Sequence, residues 1–154
     1  MADSIRQKIV DEVDKELKTI TKDNGYETNV GKNVFEWLDA PVEAKDLPAI
    51  VWRDRQDPIT VDSKVTHIHD LTMEIELFAT GASVPKTMRK LIADVTKLIG
   101  KIKTDGRVTW SALAIDTFPV SEEMVLDENT KKLMSALVSI NIQYHTAKFD
   151  AYTQ

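Results

Sequence analysis

Apolar residues recur along this chain with two distinct periods. Ile5, Ile9, Val13, Leu17 and Ile20 fall three or four positions apart, which predicts an amphipathic helix of roughly five turns. Asp3 and Ser4 are placed to cap its start and Asn24-Gly25 to stop it,. Lys8, Asp11, Glu12, Lys15 and Lys18 fill the opposite, solvated face. Met88, Leu91, Ile92, Val95, Leu98, Ile99 and Ile102 trace a second such helix, after a "GASVP" turn in which Ser83 suits the cap and Pro85 the first turn,.

Elsewhere the period drops to two. Leu71, Met73, Ile75 and Leu77 alternate with Asp70, Thr72, Glu74 and Glu76, which predicts a half-buried antiparallel strand from Asp70 to Phe78,. Met134, Ala136, Val138, Ile140, Ile142 and Tyr144 share one face of a last strand. "AIVWR" suits a buried strand, and a short strand is expected around Val34 to Leu38,. "RDRQDPITVDSKVTH" reads as a long polar loop suited to an arm. Asp105-Gly106 turns the chain into "RVTWSALAIDTF", a further strand, and "PVSEEMVLDENTKK" reads as a polar connection. Two amphipathic helices need an apolar sheet face to pack on. The expected class is α+β, a mainly antiparallel sheet packed with two amphipathic helices in the order α-β-β-β-α-β-β, as a single domain over residues 1–154.

Composition narrows the function without choosing it. The chain has 154 residues, 29% of them charged, with a net charge of −5. That balance argues against general or sequence-specific nucleic-acid binding, which needs a surplus of Lys and Arg on some surface. There is no cysteine, so disulfides, zinc-thiolate sites and cysteine nucleophiles are excluded, and a reducing compartment fits. The charged N-terminus does not read as a secretory signal, and no apolar run reaches the ~18 residues of a membrane helix. A soluble, cytoplasmic protein without a membrane partner is the expectation.

His67-x-His69-Asp70 is the one stretch that looks like metal chemistry. Residues two apart on a strand share a face, so His67 and His69 could touch one ion. A catalytic site normally needs a third protein ligand and an open position. Leu71 and Thr72 stand where the metallo-β-lactamase pattern has Asp-His. The pair also shares parity with Leu71 and Met73, so it reads as the start of the strand, at the rim of its apolar face. Glu74 with Glu76 and Glu122 with Glu123 read as solvated carboxylates, and no phosphate loop or nucleophile elbow is present. No catalytic residue, metal or cofactor is implied. Lys86 to Arg107 holds seven bases against Asp94 and Asp105, a net +5 that leaves −10 on the rest. The stretch from Glu43 to Glu76 is acidic. The two could meet across a subunit contact.

"DLPAIVW", "HDLTMEIELFATGASVP" and "SALVSINIQYHT" together resemble the lambda-type tail terminator proteins of tailed phages, the minor tail protein U family. The correspondence runs in order through Ile5-Arg6, Asp46 to Trp52, Met73 to Phe78, Val84-Pro85 and Ser135 to Tyr144. The sequence departs from the family pattern between the second helix and the last strand, and after Tyr144. The resemblance implies a non-catalytic virion protein, assembled in the host cytoplasm, that forms a six-membered ring. Such a ring caps the tail tube, ends tube growth and presents a head-joining surface. Its implied partners are other copies of itself, the tail tube protein and a head-completion or connector protein. Arg53, Arg55, Asp57, Lys86, Lys90, Lys97 and Lys101 are the candidate contact residues. Another head–tail connector or tail assembly factor, or a non-catalytic binding domain, remains the alternative.

Overall fold

The Ser4 hydroxyl accepts a hydrogen bond from the Gln7 amide at 3.1 Å and opens helix α1 (Ile5–Leu17). It thereby satisfies one of the amides that a helix start leaves unpaired. The computed structural model describes residues 2–104, 109–126 and 133–154. α1 is shorter than its periodicity predicts. It ends at Leu17, and Ile20 is buried from the turn that follows. Asn24-Gly25 closes a separate 3₁₀ turn (Lys22–Asn24), with Gly25 at φ 85°, where glycine meets no steric penalty.

The strands are β1 (Val34–Glu36), β2 (Ala49–Asp54), β3 (Ile59–Asp62), β4 (Thr66–Thr80), β5 (Asp116–Leu126) and β6 (Leu133–Ala147). Helix α2 (Val84–Thr104) and a one-turn segment α3 (Thr109–Ala112) lie between β4 and β5. The sheet order is β1-β2-β4-β6-β5, and β3 pairs with β4 beyond the end of β2. Among the described residues only β1 and β2 run parallel, and every other pairing is antiparallel. β4 and β6 form the spine, in unbroken register from Thr66↔Ala147 to Thr80↔Leu133.

This is the expected α+β class with a mainly antiparallel sheet, but the order of elements differs. The "RDRQDPITVDSKVTH" segment is not a free arm. It contains β3, and Arg55, Gln56 and Pro58 are hydrogen-bonded to the Asp70–Thr72 backbone of β4. β3 alternates Ile59 and Val61 with Thr60 and Asp62, but over only four residues inside an otherwise polar stretch, and all four are exposed. "RVTWSALAIDTF" is likewise no continuous strand. Trp110, Ser111 and Ala112 have φ between 55° and 65°, and Trp110 is buried with Nε1 donating to Thr117 Oγ1 at 2.9 Å. The strand is instead β5, which takes in most of the supposed polar connection. A register shift between Pro119 and Ser121 breaks its alternation. Asp105-Gly106 and residues 127–132 lie outside the described residues.

One face of the sheet carries the core. Leu71, Met73, Ile75 and Leu77 of β4 stand opposite Ile142, Ile140, Val138 and Ala136 of β6. Met88, Leu91, Val95 and Leu98 of α2 and Ile9, Val13 and Leu17 of α1 close over them. Each large side chain so buried contributes roughly 1.5–3 kcal/mol before entropy is charged. Among the described residues no helix is long and apolar enough to cross a membrane.

Candidate functional site

Strand alternation sends Arg53, Glu74 and Glu76 to the face away from the helices. There Arg53 Nη2 lies 2.6 Å from Glu76, and Arg53 Nε and Arg55 Nε lie 3.9 and 3.7 Å from Glu74. Thr72 donates to Asn141 across the spine, and Gln143 donates to Asp70. The open face is thus a lattice of half-exposed cross-strand polar pairs. The acidic Glu43–Glu76 stretch does not form one patch, because alternation divides it between the two faces. Glu74 and Glu76 meet arginines on the open side, while Asp54 and Asp57 turn toward Arg6 on the helix side.

Asp57 therefore stands apart from Arg53 and Arg55. It lines a cavity of about 290 Å³ at the end of the spine, together with Arg6, His67, His69, Tyr144 and Phe149. His67 and His69 do share the face of Leu71 and Met73, opposite Thr146 and Tyr144 of β6. The His69 ring stacks on Tyr144 with centroids 4.6 Å apart, and its Nε2 lies 3.1 Å from Thr146 Oγ1. His67 Nε2 lies 3.2 Å from Asp62. The Tyr144 hydroxyl donates to Asp57. Burial first, then that bond, pushes the phenol far above its ordinary range, so it stays a donor. Arg6 grips Asp54 and the Arg55 carbonyl as well. Burial pushes the Asp54 carboxyl up, but hydrogen bonds from Trp37 and Arg6 outweigh it and hold the carboxyl below its usual range. Asp57 Oδ1 and His69 Nδ1 are buried without a hydrogen bond, although His69 Nδ1 lies 3.5 Å from the other oxygen of Asp57. Among the described residues no three His, Cys, Asp or Glu side chains gather to hold a metal ion. The chemistry present here is a polar cluster that pins α1 to the sheet end.

The four candidate lysines on α2 divide. Lys90 Nζ lies 3.6 Å from Glu27. Lys97 donates to the Gly25 carbonyl at 2.6 Å and sits 5.3 Å from the Tyr26 ring centroid. Lys86 and Lys101 are exposed on the same helix. Lys90 and Lys97 thus help to fasten the α1–β1 connection.

Periodicity missed a different surface. β5 is the last strand on its side of the sheet and exposes Phe118, Val120, Met124 and Val125. At the other flank β3 exposes Ile59 and Val61, with Val65 in the turn beyond it. Phe149, just past β6, is 87% exposed with φ 56°. The only sequence signal was apolar residues inside stretches that otherwise read as polar. Isolated exposed hydrophobics are ordinary, whereas edge strands that carry them beside an open row of backbone groups are candidate pairing sites.

No known protein family matches the sequence, and no curated protein matches it. In structure the chain is similar to a chain from the virion of a native gene transfer agent particle, with a TM-score of 0.48, 11% identity and 92% of each chain covered.

Proposed function

We propose that this chain is a non-catalytic structural protein of a tailed-phage particle: a tail terminator, incorporated in the virion after assembly in the host cytoplasm. Copies join head-to-tail into a closed ring, of six by the family resemblance. The ring caps the tail tube, stops its growth and offers a surface to a head-completion or connector protein.

The observation that carries this reading is the one-sided build of the sheet. Among the described residues, helices cover a single face, and strands with one unpaired edge and exposed apolar side chains lie on both flanks, β3 on one and β5 on the other. A soluble monomer normally blunts such edges, and a head-to-tail assembly uses two different patches of this kind. The segments that resemble the terminator family supply support of another kind. Asp46 to Trp52, Met73 to Phe78 and Ser135 to Tyr144 lie in or lead into the adjacent strands β2, β4 and β6, while Ile5-Arg6 and Val84-Pro85 start the two long helices. The regions that depart from the family are α3 with β5, and the chain after Tyr144. Divergence therefore falls on the exposed flank and end, where contacts particular to one assembly would lie.

The test is electron microscopy of the protein at high concentration, alone and with its cognate tail tubes. Rings of uniform size and capped tube ends are expected. Tubes left uncapped, with no rings at any concentration, rule the role out.

A further inference from the structure

We propose that the outward face of α2 in one copy packs across the open face of the sheet in the next, and that this pairing of a basic helix with an acidic sheet is the head-to-tail contact. The proposal deepens the ring reading above and rests on it for closure.

Helical geometry gathers the charge of α2 on one side. With about 3.6 residues per turn, Lys86, Arg89, Lys90, Lys97 and Lys101 fall within about a third of the circumference, and all five are exposed. The only acid of the helix, Asp94, is turned inward and buried. Lys90 is partly offset by Glu27, whereas Lys97 keeps its charge beside the neutral Gly25 carbonyl. Lys86 and Arg89 have no ion pair among the described residues. Ala93 and Gly100 run along the middle of the arc, and a Cβ at Gly100 meets nothing within 4 Å. The centre of the basic face is therefore open to close approach.

The open face of the sheet has the opposite sign. Register places Asp70, Glu74, Glu76 and Glu123 on it, opposite Gln143, Ser139 and Leu137 of β6. Arg53 and Arg55 answer Glu74 and Glu76, so Asp70 and Glu123 are left as surplus acid, and Glu123 is exposed without an ion pair among the described residues. Leu137 lies half-buried between Glu76 and Glu123, with Phe78 and Val125 flanking Ser135 in the next row on that face. Lysine stems cover apolar ground of this kind while their heads stay wet. The dimensions agree. From the Asp70 row to the Glu76 row the strand advances roughly 20 Å, and Lys86 to Lys101 spans roughly 22 Å of helix.

Charge also chooses the pairing. Helix against helix, or open face against open face, would set like charges together, which costs affinity. Helix against open face sets bases against surplus acid. The two surfaces lie on opposite sides of the molecule, because α2 packs on the sheet face that carries Leu71 and Met73. A contact between two different patches so placed repeats from copy to copy.

Two pairs of reversals test this. Lys86→Glu with Arg89→Glu reverses the helix, and Asp70→Lys with Glu123→Lys reverses the sheet. None of the four side chains is buried, so unfolding midpoints near the wild-type value are expected. Sedimentation velocity at about 0.05 M salt should show the helix reversal weakening self-association roughly tenfold, and less so at about 0.5 M. In a chain that already carries the sheet reversal, the same helix reversal should strengthen association, because it then sets acids opposite lysines. That change of sign requires the two surfaces to face each other. If the helix reversal weakens association in both backgrounds, α2 meets some other surface and the contact is wrong. If neither reversal affects a chain that still forms rings, the contact is wrong while the ring reading stands. Rings that persist while the helix reversal lowers retention on tail tubes or on duplex DNA assign the basic face to that partner and overturn the contact. A wild-type chain that stays monomeric, alone and with tubes, overturns the contact together with the ring.

Discussion

Asp94 lies on the core side of α2, 2% exposed, and accepts hydrogen bonds from Glu27 N, Thr28 N and the Thr28 hydroxyl. A buried carboxylate so paired holds the segment before β1 against the helix. Replacing it by alanine orphans three donors, and Asp94→Ala should cost about 3 kcal/mol in urea unfolding. Gly31 is constrained by space alone. A Cβ there would lie 2.7 Å from the carbonyl oxygens of Lys18 and Ile20. These are backbone atoms that cannot turn aside, so Gly31→Ala should destabilise by roughly 1–3 kcal/mol. Arg6 acts through charge. The Asp54 carboxyl is held below its ordinary range, so its contribution is present above the unfolded value near 4 and lost as pH falls through the folded value. Arg6 is partly exposed, which limits the pair to about 1 kcal/mol. The stability gap between wild type and Arg6→Met should be full at pH 7 and close below about pH 4. A gap that is constant with pH would mean Arg6 acts by packing alone.

At the scale of the element, α2 presents lysines of one type in two roles. Lys97 fastens the Gly25 turn, so Lys97→Ala should lower monomer stability by about 0.5–1 kcal/mol whether or not the protein assembles. Lys86 is exposed on the same helix, and Lys86→Glu should leave unfolding within about 0.5 kcal/mol of wild type. If the helix meets an acidic neighbour, that variant weakens association at low salt. Unfolding curves and sedimentation measured on the same samples separate the two roles. β5 shows why an edge element is hard to see in sequence. With one side unpaired and a shift after Pro119, neither of its faces is uniformly dry or uniformly wet.

For the whole molecule, the exposed residues open to a neighbour fall into an apolar set and a charged set. In a self-associated state the exposed apolar residues of β3 and β5 would act through burial, which salt does not screen. Lys64, Lys86, Glu122 and Glu123 act through fields that fall off within about 10 Å at 0.1 M salt. Raising salt from about 0.05 to 0.5 M should therefore weaken self-association without abolishing it. A constant that does not change would leave these charges as plain surface, and complete dissociation would mean that the apolar contact contributes little.

Much of this fold was determined by sequence alone. β4, β6, α1 and α2 were legible because each has one dry face and one wet face, and period two or period 3.6 records that directly. The same rule placed His67 and His69 on the face of Leu71 and Met73. Sequence also assigned the α+β class, since two apolar helix stripes require a sheet to cover. Only the tertiary structure decided the rest. β3 and β5 sit at flanks and expose apolar residues such as Ile59, Val61, Phe118 and Val120; β3 alternates over only four residues and β5 has a register shift, so neither stood out from the polar stretch around it. Asp57 parted from Arg53 and Arg55 because alternation and the turn after β2 send them to opposite faces. Lys90 and Lys97 found Glu27 and Gly25, more than sixty positions away in the chain. Phe149 stands exposed because hydrogen bonds from β6, the β3–β4 turn and α1 converge on the segment after Ala147. Local periodicity reports which side of an element is dry, while partners distant in sequence are chosen only when the chain closes on itself.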